Sequence, residues 1–325
     1  MIGEPWFWRE RSIAASVMST TLSPLSAIYD FTQQTRAAFT TPKTVSAPIV
    51  CVGNATLGGV GKTPFCIFLA GLLFDRGVRP HFATRGYGGA SSGPLEVKNN
   101  TAAEVGDEAL LLADTAPTWI ARNRHAGARD AANGADIVIL DDGFQNPTIA
   151  KDCSILLIKA GAQDANQKIF PAGPYREPIQ RAIGRADIVV QVGGQVGGQE
   201  SNFEAPDKPV FHAASNFVID LEPQRVVAFC GVGNPHRFFT MLSENGFDVV
   251  GAVSFPDHHA FSAREIDQLQ RLAKRRGARL ACTRKDIVRF DQTDAEGIGV
   301  ADLSISVDRP DELARKVLTA TKLSL

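Results

Sequence analysis

The sequence of 325 residues has no excess of charge of either sign and no spaced cysteine pairs. Its formal net charge is -1, so it lacks the basic field by which proteins bind nucleic acid. Five cysteines are scattered without the spacing of a zinc site or a disulfide framework, which favours a reducing compartment. These absences argue against nucleic-acid-binding, zinc-binding and disulfide-stapled classes of protein.

The sequence also lacks a hydrophobic run that would span a bilayer. Residues 12–29 carry no charge, but seven of them are Ser or Thr and Pro24 interrupts the middle. A cleaved signal peptide fits poorly, because the segment is too polar and no clear small-residue cleavage site follows. Trp6, Phe7 and Trp8 precede this segment and favour a position at the lipid headgroup level. Composition leaves open an N-terminal helix packed on the core, with its tryptophans buried.

What is present begins with a glycine-rich stretch, residues 56–63, between an apolar run at 48–53 and a helical run at 64–74. A strand, a glycine-rich turn and Gly-Lys-Thr at a helix start are typical of a P-loop, whose backbone N–H groups bind phosphate. The hydroxyl of Thr63 would also hold Mg²⁺. The pattern predicts that the nucleotide contacts come from Thr56, Gly58, Gly59, Val60, Gly61, Lys62 and Thr63.

One position of this stretch departs from the usual P-loop pattern. Thr56 stands where the first glycine is expected. The alternative interpretation is a glycine-rich turn that binds nothing.

A second element of functional character is a β-branched run, residues 135–140, that ends in Asp141, Asp142 and Gly143. This is typical of a Walker-B strand, whose terminal Asp reaches the Mg²⁺ at the P-loop. In a parallel sheet that acid lies at the carboxyl edge of the strands, where ligands bind. The alternative is a strand-ending Asp-Gly turn.

Other candidate residues lie in stretches whose local pattern is ambiguous. Asp107 and Glu108 open a helical run, where the local pattern favours capping over a general base and a metal-linked carboxylate. Arg176 lies in a proline-rich loop and could face a phosphate or pair with Glu177. Arg85 lies in a glycine loop, where a solvated arginine is the more ordinary arrangement.

The C-terminal half carries no nucleotide signature of its own. Gly231 and Gly233 follow an apolar run, but His236 takes the place of the third glycine of a dinucleotide fingerprint. Residues 283–286 fail the first two positions of the guanine-binding pattern, so GTP is not inferred. His258 lies on a loop before a predicted helix at 262–276.

Taken in order, these motifs resemble the tetraacyldisaccharide 4'-kinase family of the lipid A pathway. The matching segments extend over nearly the whole chain, at 5–8, 52–64, 85–88, 106–108, 141–145, 171–177, 229–235 and 255–259. The resemblance implies ATP-dependent phosphorylation of the 4'-hydroxyl of an acylated glucosamine disaccharide 1-phosphate. It also implies a peripheral or monotopic protein at the cytoplasmic face of the bacterial inner membrane, which favours membrane contact by the N-terminal segment.

The resemblance assigns roles to the candidate residues. It implies that Asp107 takes the proton from the sugar hydroxyl and that His258, on a different domain, assists it. Lys62 would hold the β- and γ-phosphates, and Arg176, or alternatively Arg85, would steady the moving phosphoryl group. Magnesium would be held by Thr63 and a carboxylate among Glu108, Asp141 and Asp142. Asn146 stands where the family commonly has His, so that position receives no catalytic role.

The predicted fold is α/β, with a P-loop parallel sheet flanked by helices, a second smaller α/β domain and an N-terminal membrane-associated helix. Its predicted parts are a membrane-associated segment 1–47, a nucleotide-binding domain 48–200, linker strands 201–224 and a C-terminal α/β domain 225–325. The predicted ligands are ATP and Mg²⁺. The predicted partners are the acylated lipid and a membrane surface, with no nucleic acid and no obligate protein partner.

Two other functions use the same P-loop. A switch-type ATPase acting through a protein partner usually carries Lys before the paired glycines, and Leu57 occupies that site here. A soluble P-loop small-molecule kinase would have no use for Trp6 and Trp8 on a segment poor in charge.

Overall fold

The computed structural model describes residues 5–8, 10, 12–161, 166–193, 205, 207–290 and 295–323. Within these residues the apolar runs of the sequence form strands. They are β1 Ile49–Asn54, β2 Pro80–Thr84, β3 Leu95–Glu96, β4 Thr118–Ile120, β5 Ile137–Asp141, β6 Cys153–Lys159, β7 Ile188–Val192, β8 Val210–Ile219, β9 Arg225–Cys230, β10 Asp248–Ser254, β11 Arg279–Thr283 and β12 Gly299–Val307.

The helices of the described residues follow a 3₁₀ turn at Trp6–Trp8. They are α1 Ile13–Ala38, α2 Lys62–Phe74, α3 Ala102–Val105, α4 Asp107–Ala113, α5 Arg124–Ala131, α6 Ile179–Arg185, α7 Pro235–Glu244, α8 Ala263–Arg276, α9 Arg284–Ile287 and α10 Pro310–Ala320.

All the described strands join one twelve-stranded sheet, in the order β10-β9-β11-β12-β8-β7-β6-β1-β5-β2-β4-β3. Every neighbouring pair is parallel except β3 with β4 and β8 with β12. The predicted α/β class is therefore confirmed, with a large, mostly parallel sheet flanked by helices. The sheet continues without a break from the nucleotide half into the C-terminal half.

The central strands are buried on both faces, which explains their continuous apolar sequence. One face packs against α2 through Phe65, Leu69 and Leu73. The other face has its own core, which includes Phe144 and Tyr175. In the parallel register of β1 and β5, Val52 lies beside Asp141. The residues that follow β1 and the acids that end β5 therefore meet at the same edge of the sheet.

The two ends of the predicted C-terminal domain pack differently. β9, β10 and β11 contribute to two further cores, one with α7 and the other with α8. By contrast, Leu313 and Val317 of α10 lie in the same core as α2. β8, within the predicted linker, pairs with β7 on one side and β12 on the other. The predicted boundary between 200 and 201 lies outside the described residues, and the division into domains stays a prediction.

Helix α1 packs with its polar face inward. Ser19 donates a hydrogen bond of 2.8 Å to the carbonyl of Ala172, and Ser26 donates one of 2.7 Å to the carbonyl of Ile169. Its apolar side chains point outward, and the exposed ones are Ile13, Val17, Met18, Leu25, Ile28 and Phe31. No helix within the described ranges is both long and apolar enough to cross a membrane.

The two N-terminal tryptophans have different surroundings. Trp8 is buried, and its indole N–H donates a 3.1 Å hydrogen bond to the carbonyl of Pro171. Trp6 is 49% exposed. The alternative that composition leaves open, in which both tryptophans are buried against the core, therefore holds for Trp8 alone.

Candidate active site

The glycine-rich loop connects the end of β1 to the start of α2. Gly58 and Gly61 have φ values of 102° and 87°, a region that favours glycine. The chain enters α2 through Gly61 without a side-chain cap. The first N–H groups of this helix therefore remain available to an anion.

The two ends of this loop are held by neighbouring residues. The side-chain amide of Asn54 donates a 2.8 Å hydrogen bond to the carbonyl of Thr56, which also bridges to Tyr175. The ammonium group of Lys62 lies 3.2 Å from Oδ1 of Asn54. No role for Asn54 follows from the sequence, because a strand-terminal Asn carries no signal of its own.

The carboxylate of Asp141 lies beneath the start of α2. Its Oδ2 accepts a 3.0 Å hydrogen bond from the hydroxyl of Thr63. Its Oδ1 is buried and has no hydrogen-bond partner among the described residues. Burial, followed by the charge of the nearby carboxylate of Glu108, raises the pKa of Asp141 to about 6 against the opposing effect of Lys62.

Asp141 should therefore destabilise the fold when it is ionised. Because the native state holds this proton from pH 3.8 up to about 6, stability falls as pH rises through that window. At pH 7.5 the substitution Asp141→Asn should stabilise the protein by about 1–3 kcal/mol. Thermal unfolding should show a midpoint higher by about 3 °C or more. The gain should disappear near pH 4.

The neighbouring Asp142 provides a control of opposite sign. Burial raises its pKa, but Lys62 and Arg176 more than offset this and lower it. Asp142→Asn should therefore reduce the thermal midpoint at pH 7.5. A reduced midpoint in both variants would contradict the account of Asp141.

Three basic side chains contact Asp142. Arg176 forms a forked pair with it, at 2.9 Å and 3.3 Å, and Lys62 lies 3.8 Å from its Oδ1. Arg124 donates a 2.7 Å hydrogen bond to its carbonyl. Asp142 has φ 55°, an uncommon conformation for a non-glycine residue that is often found at functional sites.

Arg176 thus pairs with Asp142 rather than with Glu177. The alternative pairing proposed from the sequence is wrong, because Glu177 accepts hydrogen bonds of 2.6 Å and 2.7 Å from Arg185. Arg85 is exposed at the surface.

A second cluster surrounds Asp107, which is the first residue of α4 and is buried. Nδ1 of His258 lies 2.7 Å from Oδ2 of this carboxylate, and Arg289 contacts both of its oxygens. Burial favours a raised pKa for Asp107, but the hydrogen bonds from His258 and Arg289 lower it to about 2. The hydrogen bond to Asp107 in turn raises the pKa of His258, against the effect of burial.

Glu108, a predicted magnesium ligand, lies between the two clusters. Its carboxylate forms a 3.0 Å ion pair with Lys285 of α9. Lys285 lies in the stretch 283–286, to which the sequence assigned no role, and Arg289 belongs to none of the sequence motifs. Both come from the C-terminal half, so the structure brings Asp107 and Glu108 together with residues about 180 positions away.

Comparisons with known proteins all indicate the same family. The model of the family described as LpxK, tetraacyldisaccharide-1-P 4'-kinase, matches residues 18–322. A tetraacyldisaccharide 4'-kinase of Parvibaculum lavamentivorans is 41% identical over 296 residues, 88% of this chain and 86% of the relative. One of Rhodospirillum centenum is 40% identical over 319 residues, 96% of this chain and 94% of the relative.

A solved structure agrees with these sequences. It is a crystal structure of the "apo" form of LpxK from Aquifex aeolicus in complex with ATP. It is similar to this chain with a TM-score of 0.78 and 28% sequence identity. The match covers 94% of this chain and 99% of that chain.

Proposed function

Since this chain belongs to the tetraacyldisaccharide-1-P 4'-kinase family, we propose that it transfers the γ-phosphate of ATP to an acylated disaccharide. The acceptor is the 4'-hydroxyl of a tetraacylated glucosamine disaccharide 1-phosphate. The observation that carries the proposal is the placement of Lys62, Thr63 and Asp141 around an uncapped helix start. The ATP named in the related structure supports ATP as the donor.

The phosphates of ATP are held by the loop 56–63. Its backbone N–H groups and the start of α2 bind the anion, and the Lys62 ammonium contacts the β- and γ-phosphates. In this structure Lys62 and Arg176 both form ion pairs with the carboxylate of Asp142. Bound phosphate therefore competes with that carboxylate for both cations. Arg176 then steadies the charge of the phosphoryl group in transfer.

The donor set beside the loop fits Mg²⁺. The hydroxyl of Thr63 and the unpartnered oxygen of Asp141 are hard oxygen ligands in one place, with Asp142 adjacent. No group of three or more His, Cys, Asp or Glu capable of holding a metal occurs within the described residues. A magnesium ion held here would take the rest of its ligands from phosphates and water. When bound, Mg²⁺ neutralises charge on the phosphate oxygens.

Asp107 accepts the proton of the acceptor hydroxyl. With its pKa lowered to about 2, Asp107 is ionised at neutral pH, which is the form that can accept a proton. Phosphoryl transfer passes through a loose transition state, so positioning of the hydroxyl contributes more than the strength of the base. His258 holds one carboxylate oxygen at 2.7 Å and orients the group. Glu108 pairs with Lys285, and its charge helps to raise the pKa of Asp141. The carboxylate that joins Thr63 at the Mg²⁺ comes from Glu108, Asp141 or Asp142.

The lipid acceptor requires contact with a membrane surface. Helix α1 exposes apolar side chains over most of its length, and Trp6 is exposed beside them. Trp, Phe and aliphatic side chains in this arrangement are typical of helices that lie at the lipid interface. We therefore place the protein as a peripheral or monotopic one at the cytoplasmic face of the inner membrane, without an obligate protein partner.

Charges on the exposed face of α1 should remove membrane binding. The double substitution Ile28→Glu and Phe31→Glu places two charges where side chains are 61% and 69% exposed. Liposome co-sedimentation should fall at least about tenfold, because apolar burial in the lipid is lost at two side chains that are mostly exposed in the protein. The matched control is Ile28→Leu with Phe31→Leu, which should bind liposomes as the original chain does. Equal liposome binding by the two double variants would contradict this membrane contact.

The proposed activity is tested by phosphate transfer in detergent micelles. ATP labelled at the γ-phosphate is incubated with tetraacyldisaccharide 1-phosphate, and the labelled lipid is separated by chromatography. Labelled lipid whose 1-phosphate is unlabelled supports the 4'-kinase. Hydrolysis of ATP without lipid phosphorylation would instead favour the switch-type ATPase.

A further inference from the structure

The guanidinium group of Arg289, in the C-terminal half, holds the carboxylate of Asp107. Arg289 belongs to none of the sequence motifs. Nε of Arg289 lies 3.0 Å from Oδ1 of Asp107, and one terminal nitrogen lies 2.5 Å from Oδ2. Two parallel bonds of this kind fix the orientation of a carboxylate as well as its distance. The Arg289 side chain is 4% exposed, so water does not compete for this pair.

The remaining terminal nitrogen of Arg289 is fixed to its own half of the molecule. It donates to the carbonyls of Gly231 and His259 and to Oδ1 of Asp286, each at 3.3 Å. Asp286 is fully buried and also accepts a 2.8 Å hydrogen bond from the N–H of Gly231. The guanidinium is therefore oriented by contacts that do not involve Asp107.

Gly231 connects this arrangement to the loop that carries His258. Its carbonyl accepts hydrogen bonds from the N–H of His258, at 3.2 Å, and from Arg289. A Cβ at position 231 would lie 2.9 Å from the carbonyl oxygen of Pro256 and 3.3 Å from Arg289. Only glycine permits this close approach. Gly231, which follows β9, therefore has a structural role, although the C-terminal half carries no nucleotide signature.

We propose that Arg289, Asp286 and Gly231 form a receptor for the Asp107 carboxylate, here called the Asp107 receptor. Docking of Asp107 into it sets the position of one half of the molecule against the other and aims the base at the acceptor hydroxyl. Arg289 is a positioning residue, because it contacts Asp107 and acts through it. This inference rests on the proposed function, in which Asp107 accepts the hydroxyl proton.

Three variants separate positioning from general stabilisation. Arg289→Gln removes the fork, Arg289→Lys keeps the charge without the fork, and Arg284→Gln removes another ion pair between the same halves. That control pair, Arg284 with Asp114, is 42% and 52% exposed at its two side chains, so its loss should have little effect.

We expect a split between kcat and KM. Arg289→Gln should lower kcat about 100-fold, because the base is misplaced by a fraction of an ångström or more. The KM for ATP should stay within about twofold, because the Asp107 receptor does not touch the phosphate loop. Arg289→Lys should fold with nearly the original thermal midpoint and recover part of kcat. An unchanged kcat in Arg289→Lys, or equal losses in Arg289→Gln and Arg284→Gln, would overturn the proposal.

Amide hydrogen exchange, measured without substrate, tests the Asp107 receptor independently of the activity. Amide hydrogen exchange in α4 and at Gly231 should be faster in both Arg289 variants than in Arg284→Gln, with the other helices unaffected. Equal exchange in all three variants would rule out the Asp107 receptor. If the original chain phosphorylates no lipid, the proposed function fails while the exchange result still decides the receptor.

Discussion

Replacing Lys62 by alanine should lower phosphate transfer to the lipid about 1,000-fold. The ammonium group stands at the first position of α2, 3.8 Å from Asp142, where it can meet the phosphates of ATP. No other lysine contacts this carboxylate in the described part of the chain, so Arg176 alone cannot reproduce the point charge. Initial-rate assays with labelled ATP and the disaccharide lipid measure the loss.

The fold should survive this substitution. Lys62 makes one hydrogen bond, to Asn54, and Asp142 keeps its forked pair with Arg176. Thermal unfolding should shift by no more than about 3 °C. Lys159→Ala removes an exposed lysine at the end of β6 and serves as the control, with transfer unchanged. Transfer by Lys62→Ala at the rate of the control would remove the phosphate-binding role of the loop.

The second large effect is expected at Asp107. Asp107→Asn should reduce kcat about 100-fold or more, because the amide cannot accept the hydroxyl proton. The KM for ATP should change little, since this side chain belongs to the other cluster. Asparagine is preferable to alanine, because its amide oxygen can still accept a hydrogen bond from the buried Arg289, whereas alanine would leave that donor without any acceptor at this position.

The matched control for Asp107 is an acid at the other end of the same helix. Asp114→Asn also removes one negative charge at α4, but this side chain is 52% exposed and paired with Arg284. It should lose far less kcat than Asp107→Asn. If Asp107→Asn instead weakens ATP binding as much as it slows turnover, Asp107 is a helix cap and not the base.

Local patterns predicted the parts of the site that lie close together in sequence. The glycine-rich loop and the acids at the end of β5 were each recognised as a predicted strand followed by a characteristic set of residues. Their meeting follows from the parallel register of β1 and β5, because the carboxyl ends of parallel strands share an edge. Asn54 and the pairing of Arg176 with Asp142 depend on side-chain directions that the sequence does not specify.

The remaining contacts join distant segments and had no local signal. Arg289 reaches Asp107 only because α9 packs against α4, and this packing has no periodic pattern in the sequence. The helical character of 12–29 was readable, but the direction of its faces was not. Its serines bind carbonyls of the loop after β6, so the polar face turns inward and reverses the usual order of an amphipathic helix.

The position of β8 restricts how the two halves can move. Residues 210–213 of this strand pair with β7, residues 213–219 pair with β12, and Ala213 belongs to both ladders. Sliding one half along the other would break a whole ladder of backbone hydrogen bonds. Twisting the sheet about the axis of β8 keeps both ladders intact and still changes the gap between Asp107 and Arg289. The contact between Asp107 and Arg289 should therefore open by torsion of the sheet around a single strand rather than by sliding of the two halves.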